Sequence, residues 1–129
     1  MLKDSDWDTL VSWWSAWKEW TAPPKDMLPD NGKGGFMVEK NGKPIVAGFV
    51  YTANSKTALL EWIISDPEYK ETDRKEALEL LITGAEEVCK QKGYKYIFSI
   101  GRNKHLIKTH KKLGYHVDEK PSYEIIKIL

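Results

Sequence analysis

IISDPEYKETDRKEALELL, residues 63–81, decides the fold by how its middle is read. The apolar end of a strand runs into Pro67, a polar turn follows, and from Asp73 apolar residues recur at helical spacing. Leu78, Leu81, Ile82, Ala85, Val88 and Cys89 give one buried stripe, Asp73 and Glu76 make a capping-box-like pair, and Gly93 closes a helix over residues 73–92. A helix N-terminus offers unpaired N–H groups and the positive end of a dipole, so an anion is stabilised there. Residues 70–76, KETDRKE, carry three positive and three negative charges. Lys70, Arg74 and Lys75 suit charge-assisted contacts with phosphate. Glu71 and Asp73 would repel it, and Asp73 as a cap would occupy the donors. Two readings stand on these residues: a phosphate-gripping turn, or a capped helix with solvated charges.

Working outward, TALLEWIIS (57–65) reads as a strand with Leu60, Trp62 and Ile64 on one face. Before it, FMVEK (36–40) and PIVAGFVY (44–51) flank Asn41-Gly42-Lys43, a strong hairpin signal because both Asn and Gly tolerate positive φ. The three strands predict an antiparallel meander. After the long helix, YKYIFSI (94–100) reads as a buried strand. Strand, helix and strand then form a crossover unit, for which parallel, right-handed pairing is expected. NKHLIKTHKKL (103–113) reads as a short helix closed by Gly114, and YHVDE and YEIIKIL as a last pair of strands around Pro121. At the other end, DSDWDTLVSWWSAWKEW (4–20) has helical spacing, with Trp7, Trp14 and Trp17 expected on the sheet and Trp13 and Trp20 left over. Pro23 and Pro24 end it, and a loop runs to Gly35.

The chain of 129 residues is expected to be one domain, 1–129, with a Trp-rich helical segment over 1–22 and the loop over 23–35. Its net charge of +1 gives no field that would draw it to nucleic acid or an anionic membrane. Cys89, the only cysteine, excludes an internal disulfide and a thiolate zinc cluster, which suits a cytoplasmic location. His105, His110 and His116 lack helical spacing for a metal. No apolar run is long enough to span a membrane, and the N-terminus lacks the order of a signal peptide.

Two stretches, taken together, resemble the GNAT N-acetyltransferase superfamily. The family shows a strand, a proline, an Arg-Gly-x-Gly-x-Gly/Ala-like turn and a long helix. Here Pro67 matches the proline, Lys70 the arginine, and Glu71, Asp73 and Lys75 stand where glycines are usual. The second stretch, NKHLIKTHKKLGY (103–115), matches an asparagine followed by a short helix ending in Leu-Gly-aromatic. The chain is also similar to small acetyltransferase-like proteins often encoded by bacteriophages. The resemblance implies an α+β fold with a mixed, mostly antiparallel sheet of about six strands, helices on both faces, and the family's first strand missing. A bare sheet edge of that kind invites a homodimer.

The resemblance further implies an acetyl-CoA-dependent N-acetyltransferase whose acceptor is an amine of a small molecule or protein. Its coenzyme would lie on the backbone of Ile63, Ile64 and Ser65, on Lys70, Thr72, Arg74 and Lys75 at the turn, and beside Asn103, which also reads as a helix cap. Glu61 stands about where some members hold a general base, though strand alternation sends it to the face opposite Trp62, toward water. His110 stands where many members place a tyrosine and would protonate the leaving thiolate; as a surface histidine it would do nothing. No metal is implied. The alternative is a catalytically inactive module of the same fold that binds a protein partner through the tryptophan helix and the edge strand. The basic run from Arg102 to Lys112 reads first as a solvated helix face; its alternatives are a contact for the nucleotide end of a coenzyme or for a nucleic-acid backbone, and nucleic acid is the least favoured partner.

Overall fold

The computed structural model of the protein describes residues 1–17 and 20–129. After a short 3-10 turn at Asp4–Asp6, helix α1 spans Trp7–Ala16. Short turns carry the chain to strands β1 (Gly35–Lys40), β2 (Lys43–Thr52) and β3 (Thr57–Ser65). Helix α2 (Arg74–Gln91), strand β4 (Tyr96–Phe98) and helix α3 (Lys104–Lys112) complete the order. Among the described residues the sheet has four strands in the order β1-β2-β3-β4, with β1, β2 and β3 antiparallel and β3 parallel to β4. The Asn41-Gly42 hairpin forms as expected, both residues at positive φ (52° and 78°).

β2 is central and covered on both faces, so Ile45, Val46, Ala47 and Phe49 are all buried in succession rather than in alternation. On one face α1 brings Leu10, Trp13 and Trp14 against Ala47, Phe49 and Ile64, with the Trp14 ring stacked on Phe49 at 6.4 Å. On the other face Leu81, Ile82 and Ala85 of α2 meet Ile45, Val46 and Leu60. No helix of the described residues is long and apolar enough to cross a membrane.

β1 and β2 approach so closely at their ends that a Cβ on Gly35 would fall on the Gly48 carbonyl oxygen and 2.8 Å from Phe49 Cα. Both obstacles are backbone and cannot rotate aside. Gly35→Ala is therefore expected to destabilise the protein by about 2–3 kcal/mol, read as a lower urea midpoint at unchanged slope.

Several expectations are corrected. The tryptophan helix ends at Ala16, because Trp17 turns to extended backbone (φ −85°, ψ 115°); Lys18 and Glu19, within the expected last turn, lie outside the described residues. Trp13 is not left over but buried in the core. Asp73 sits at the N-cap of α2 without a side-chain cap bond, so no capping box forms. β4 is three residues long, with Tyr96 and Phe98 exposed rather than buried. Residues 115–129 form no ladder, so the last two expected strands are absent from the sheet and the count is four, not about six.

Candidate active site

The site begins where a ladder stops. β3 and β4 pair only at Thr57–Tyr96, Ala58–Ile97 and Leu59–Phe98. One residue further, side chains replace backbone: Ser99 Oγ donates to the Leu60 carbonyl at 2.7 Å, and the Ile100 N–H donates to Glu61 Oε1 at 2.7 Å. Beyond these bridges the strands part. The cause lies in β3, where the pairing with β2 jumps from Phe49–Glu61 to Ala47–Ile64, and Trp62 takes a left-handed φ of 55°. An extra residue on one strand bends it and tightens its twist, and here the bend carries β3 away from β4.

The gap opens into a cavity of about 1280 Å³. Its walls come from β3 (Ile63, Ser65), the turn and first residues of α2 (Thr72, Arg74, Lys75), α3 and its approach (Arg102, Asn103, His105, Lys108, Lys112), and Trp17 and Trp20 beyond α1. Five arginine and lysine side chains line it and, among the described residues, no carboxylate does. In a cleft with low-dielectric walls that arrangement focuses a positive potential.

Asp73, an acid of the turn, is drawn elsewhere. Asp73 accepts from Lys40 Nζ and from Tyr69 OH, both at 2.6 Å, and Lys40 holds its carboxyl below the usual carboxylate range. The tip of α2 is thus not capped by its own aspartate. Arg74 is fixed by bonds to Ser65 Oγ (2.7 Å) and the Tyr69 carbonyl (3.3 Å), and its guanidinium lies over the Trp17 ring. Trp17 Nε1 donates to the Ser65 carbonyl at 3.1 Å, tying the tryptophan segment to the rim.

A smaller cavity of about 240 Å³ adjoins this one; Trp20, Ile63, Arg102 and Leu106 line both. Its other walls include Trp14, Trp62, Ser99, Glu61 and Glu124. Glu61 is buried, 7% exposed, so the alternation that sent it to water misleads: the face of β3 it occupies is covered by Ile100 and Arg102. Burial pushes its carboxyl above the ordinary glutamate value, opposed by the Ile100 N–H and by Arg102, whose guanidinium lies 3.7 Å away. Arg102 also pairs with Glu124 at 2.9 Å and stacks over Trp62.

Of the residues expected at the site, Ile63, Ser65, Thr72, Arg74, Lys75 and Asn103 line the large cavity and Glu61 lines the small one. Asn103 is also the cap of α3, its Oδ1 accepting from the Leu106 N–H at 2.8 Å. Ile64 faces the α1 core, and exposed Lys70 lines neither cavity. His110 lines neither as well. It is buried in α3, with Nδ1 bonded to the Leu106 carbonyl, Nε2 without a partner and its ring edge-on to Tyr115, so the thiolate-protonating role loses its access. His105, Lys108 and Lys112 were not singled out from the basic run 102–112, whose reading as a contact for the nucleotide end of a coenzyme ranked behind a solvated face. Their +3 and +4 spacing was the available signal, since it puts all three on one face of α3. No group of residues able to hold a metal ion occurs among the described residues, and Cys89 is buried in the core.

Comparison of the sequence with protein-family models and with curated proteins gives no match. Comparison of the fold does. A mutant of TTHA1254 from Thermus thermophilus superposes with a TM-score of 0.69 at 15% identity, over 99% of this chain and 94% of its own. The ribosomal-protein-S18-alanine N-acetyltransferase of Escherichia coli gives 0.67 at 17% identity, over 88% of this chain and 73% of its own. The aminoglycoside N-acetyltransferase AAC(6')-Iy, solved in complex with CoA, gives 0.63 at 17% identity, over 98% and 92%.

Proposed function

We propose, from the GNAT acetyltransferase fold that this chain has, that it is an acetyl-CoA-dependent N-acetyltransferase acting on an amine. The observation that carries this reading is the gap between β3 and β4, which leads from a carboxylate-lined pocket to a cleft with five cationic side chains and, among the described residues, no acid. The fit to coenzyme A is chemical. A slot between parted strands takes a narrow extended arm. The uncapped tip of α2 with Arg74 and Lys75 takes a diphosphate through backbone donors and charge-assisted bonds. Lys108 and Lys112 stand further along the same wall for a further phosphate.

Bound there, the coenzyme supplies an acetyl group activated as a thioester. The chain's own residues do the rest. Glu61, in the smaller cavity beside Arg102, which lines both, accepts the proton that an ammonium must lose before its nitrogen can attack, and its raised affinity for protons brings it nearer the working pH of such a base. Arg102 keeps Glu61 oriented, and Ser99 and the Ile100 N–H hold the mouth of the gap at fixed width. Trp14, Trp20 and Trp62 exclude water and offer flat apolar walls to the body of the acceptor.

Calorimetric titration tests the reading. Acetyl-CoA is expected to bind the full chain with one site and a dissociation constant in the micromolar range, weakening as salt is raised. Absence of heat at millimolar coenzyme would leave only a scaffold of this fold.

A further inference from the structure

The bulge in β3 does more than part the strands. In a regular strand neighbouring side chains point to opposite faces, yet Glu61 and Trp62 both line the smaller cavity. The break in register between Phe49–Glu61 and Ala47–Ile64, with Trp62 at φ 55°, is what sets an acid and an indole side by side. A left-handed φ is strained for so bulky a side chain, and strain of this kind is kept where a site needs it. Trp20, half-buried like Trp62, lines the same cavity.

Glu61, Glu124 and Arg102 are the charged side chains that line this cavity among the described residues. Two carboxylates against one guanidinium leave a surplus negative charge when both acids are ionised. Arg102 is already engaged: it lies 2.9 Å from Glu124, 3.7 Å from Glu61 and over the Trp62 ring at 5.2 Å. Lys75, Lys108 and Lys112 line only the adjoining cleft, on the coenzyme's side. An ammonium entering the smaller cavity therefore cancels the surplus. A carboxylate or phosphate would meet two acids and a guanidinium that both acids already hold.

We propose, building on the acetyl-transfer reading above, that the acceptor is a small primary amine with one ammonium on a short alkyl arm, one aromatic ring and no anionic group. Its ammonium lies at Glu61. Its ring lies on Trp20 and Trp62, where offset or edge-on stacking favours a flat partner over a flexible chain. Size sets the upper limit. A cavity of about 240 Å³ holds about eight waters at ~30 Å³ each, which is room for one ring and its arm but not for several linked sugars or a run of peptide. One ammonium proton passes to Glu61, the N–C bond forms as the thioester C–S bond breaks, and the nitrogen's second proton leaves on the coenzyme's sulfur.

Calorimetry of the full chain at pH 8 tests this, first with coenzyme A and then, on the coenzyme-saturated chain, with amines of similar size. 2-Phenylethylamine is expected to bind roughly tenfold more tightly than hexylamine, which lacks the ring, and roughly a hundredfold more tightly than phenylalanine, which adds a carboxylate. Trp62→Gly suits the left-handed backbone, so it is expected to keep the wild-type circular dichroism while losing the preference for the ring. Glu124 is exposed, and Glu124→Gln removes the surplus charge and leaves Arg102 one carboxylate short. That variant is expected to bind phenylalanine roughly tenfold more tightly than wild type does, a gain that a loss of structure does not produce. With acetyl-CoA in place of coenzyme A, mass spectrometry is expected to find the N-acetyl product of 2-phenylethylamine. No heat from coenzyme A would overturn the acetyl-transfer reading and this proposal with it. Coenzyme binding beside an indifference to all three amines, an equal affinity for phenylalanine, or a Glu124→Gln chain that still rejects phenylalanine would overturn the acceptor class alone.

Discussion

Arg74→Glu/Lys75→Glu is expected to weaken acetyl-CoA binding by roughly 100- to 10,000-fold, two charge-assisted contacts to phosphate being worth ~1.5–3 kcal/mol each. Both side chains line the cleft at the first turn of α2. Reversal replaces attraction by repulsion at the tip of α2, which looks into the gap. Lys70→Glu is the control: it reverses one charge in the same turn, against two in the double variant, but Lys70 lines no cavity, and it should alter binding only a few-fold, through the long-range field that salt screens. Calorimetry at low and at physiological salt separates the two. A loss from Lys70→Glu half as large in free energy as that of the double variant would mean that the turn acts through net charge alone and that the helix tip grips nothing.

Glu61→Gln should reduce turnover by roughly 100- to 10,000-fold, the range that one positioned general base contributes, while leaving acetyl-CoA affinity close to wild type. Since burial raises the Glu61 pKa, the wild-type rate should fall with decreasing pH along a limb lying above the ordinary glutamate value of about 4.3. Stability should move the other way. An acid whose folded pKa is raised stabilises the fold below its unfolded pKa, and that contribution is lost as pH rises through the folded value. At pH 8 the wild type holds an ionised Glu61 that the fold disfavours, whereas the glutamine variant does not. The melting temperature of Glu61→Gln, relative to wild type, should therefore be higher at pH 8 than at pH 4. A variant with near-wild-type turnover and no acid limb would remove Glu61 from the chemistry.

The elements whose instructions are local were legible in the sequence. Asn41-Gly42 encodes its hairpin by tolerating positive φ, and the stripe from Ala77 to Cys89 encodes α2 by its spacing. The parallel pairing of β3 with β4 followed from the helix that joins them. What was not legible depends on partners far along the chain. The bulge at Trp62 carries no glycine to announce it, so the parting of the strands could be inferred only through family resemblance. Glu61 read as solvated because alternation describes a sheet with one covered face, and the opposite cover comes from residues 39 and 41 positions later. Asp73 read as a cap because Lys40, which binds that carboxylate together with Tyr69, lies 33 residues away in sequence. The tail read as strand because its pattern is that of one, but a strand exists only where an edge receives it, and this chain lays none of its own edges beside it.

Crystals soaked with coenzyme A test the central claim most directly. The account predicts continuous density for an extended arm between residues 60–65 and 99–103, with its diphosphate within hydrogen-bonding reach of the first amides of α2 and of Arg74. A gap that stays empty at saturating coenzyme, or coenzyme bound elsewhere with β3 and β4 unchanged, would contradict it.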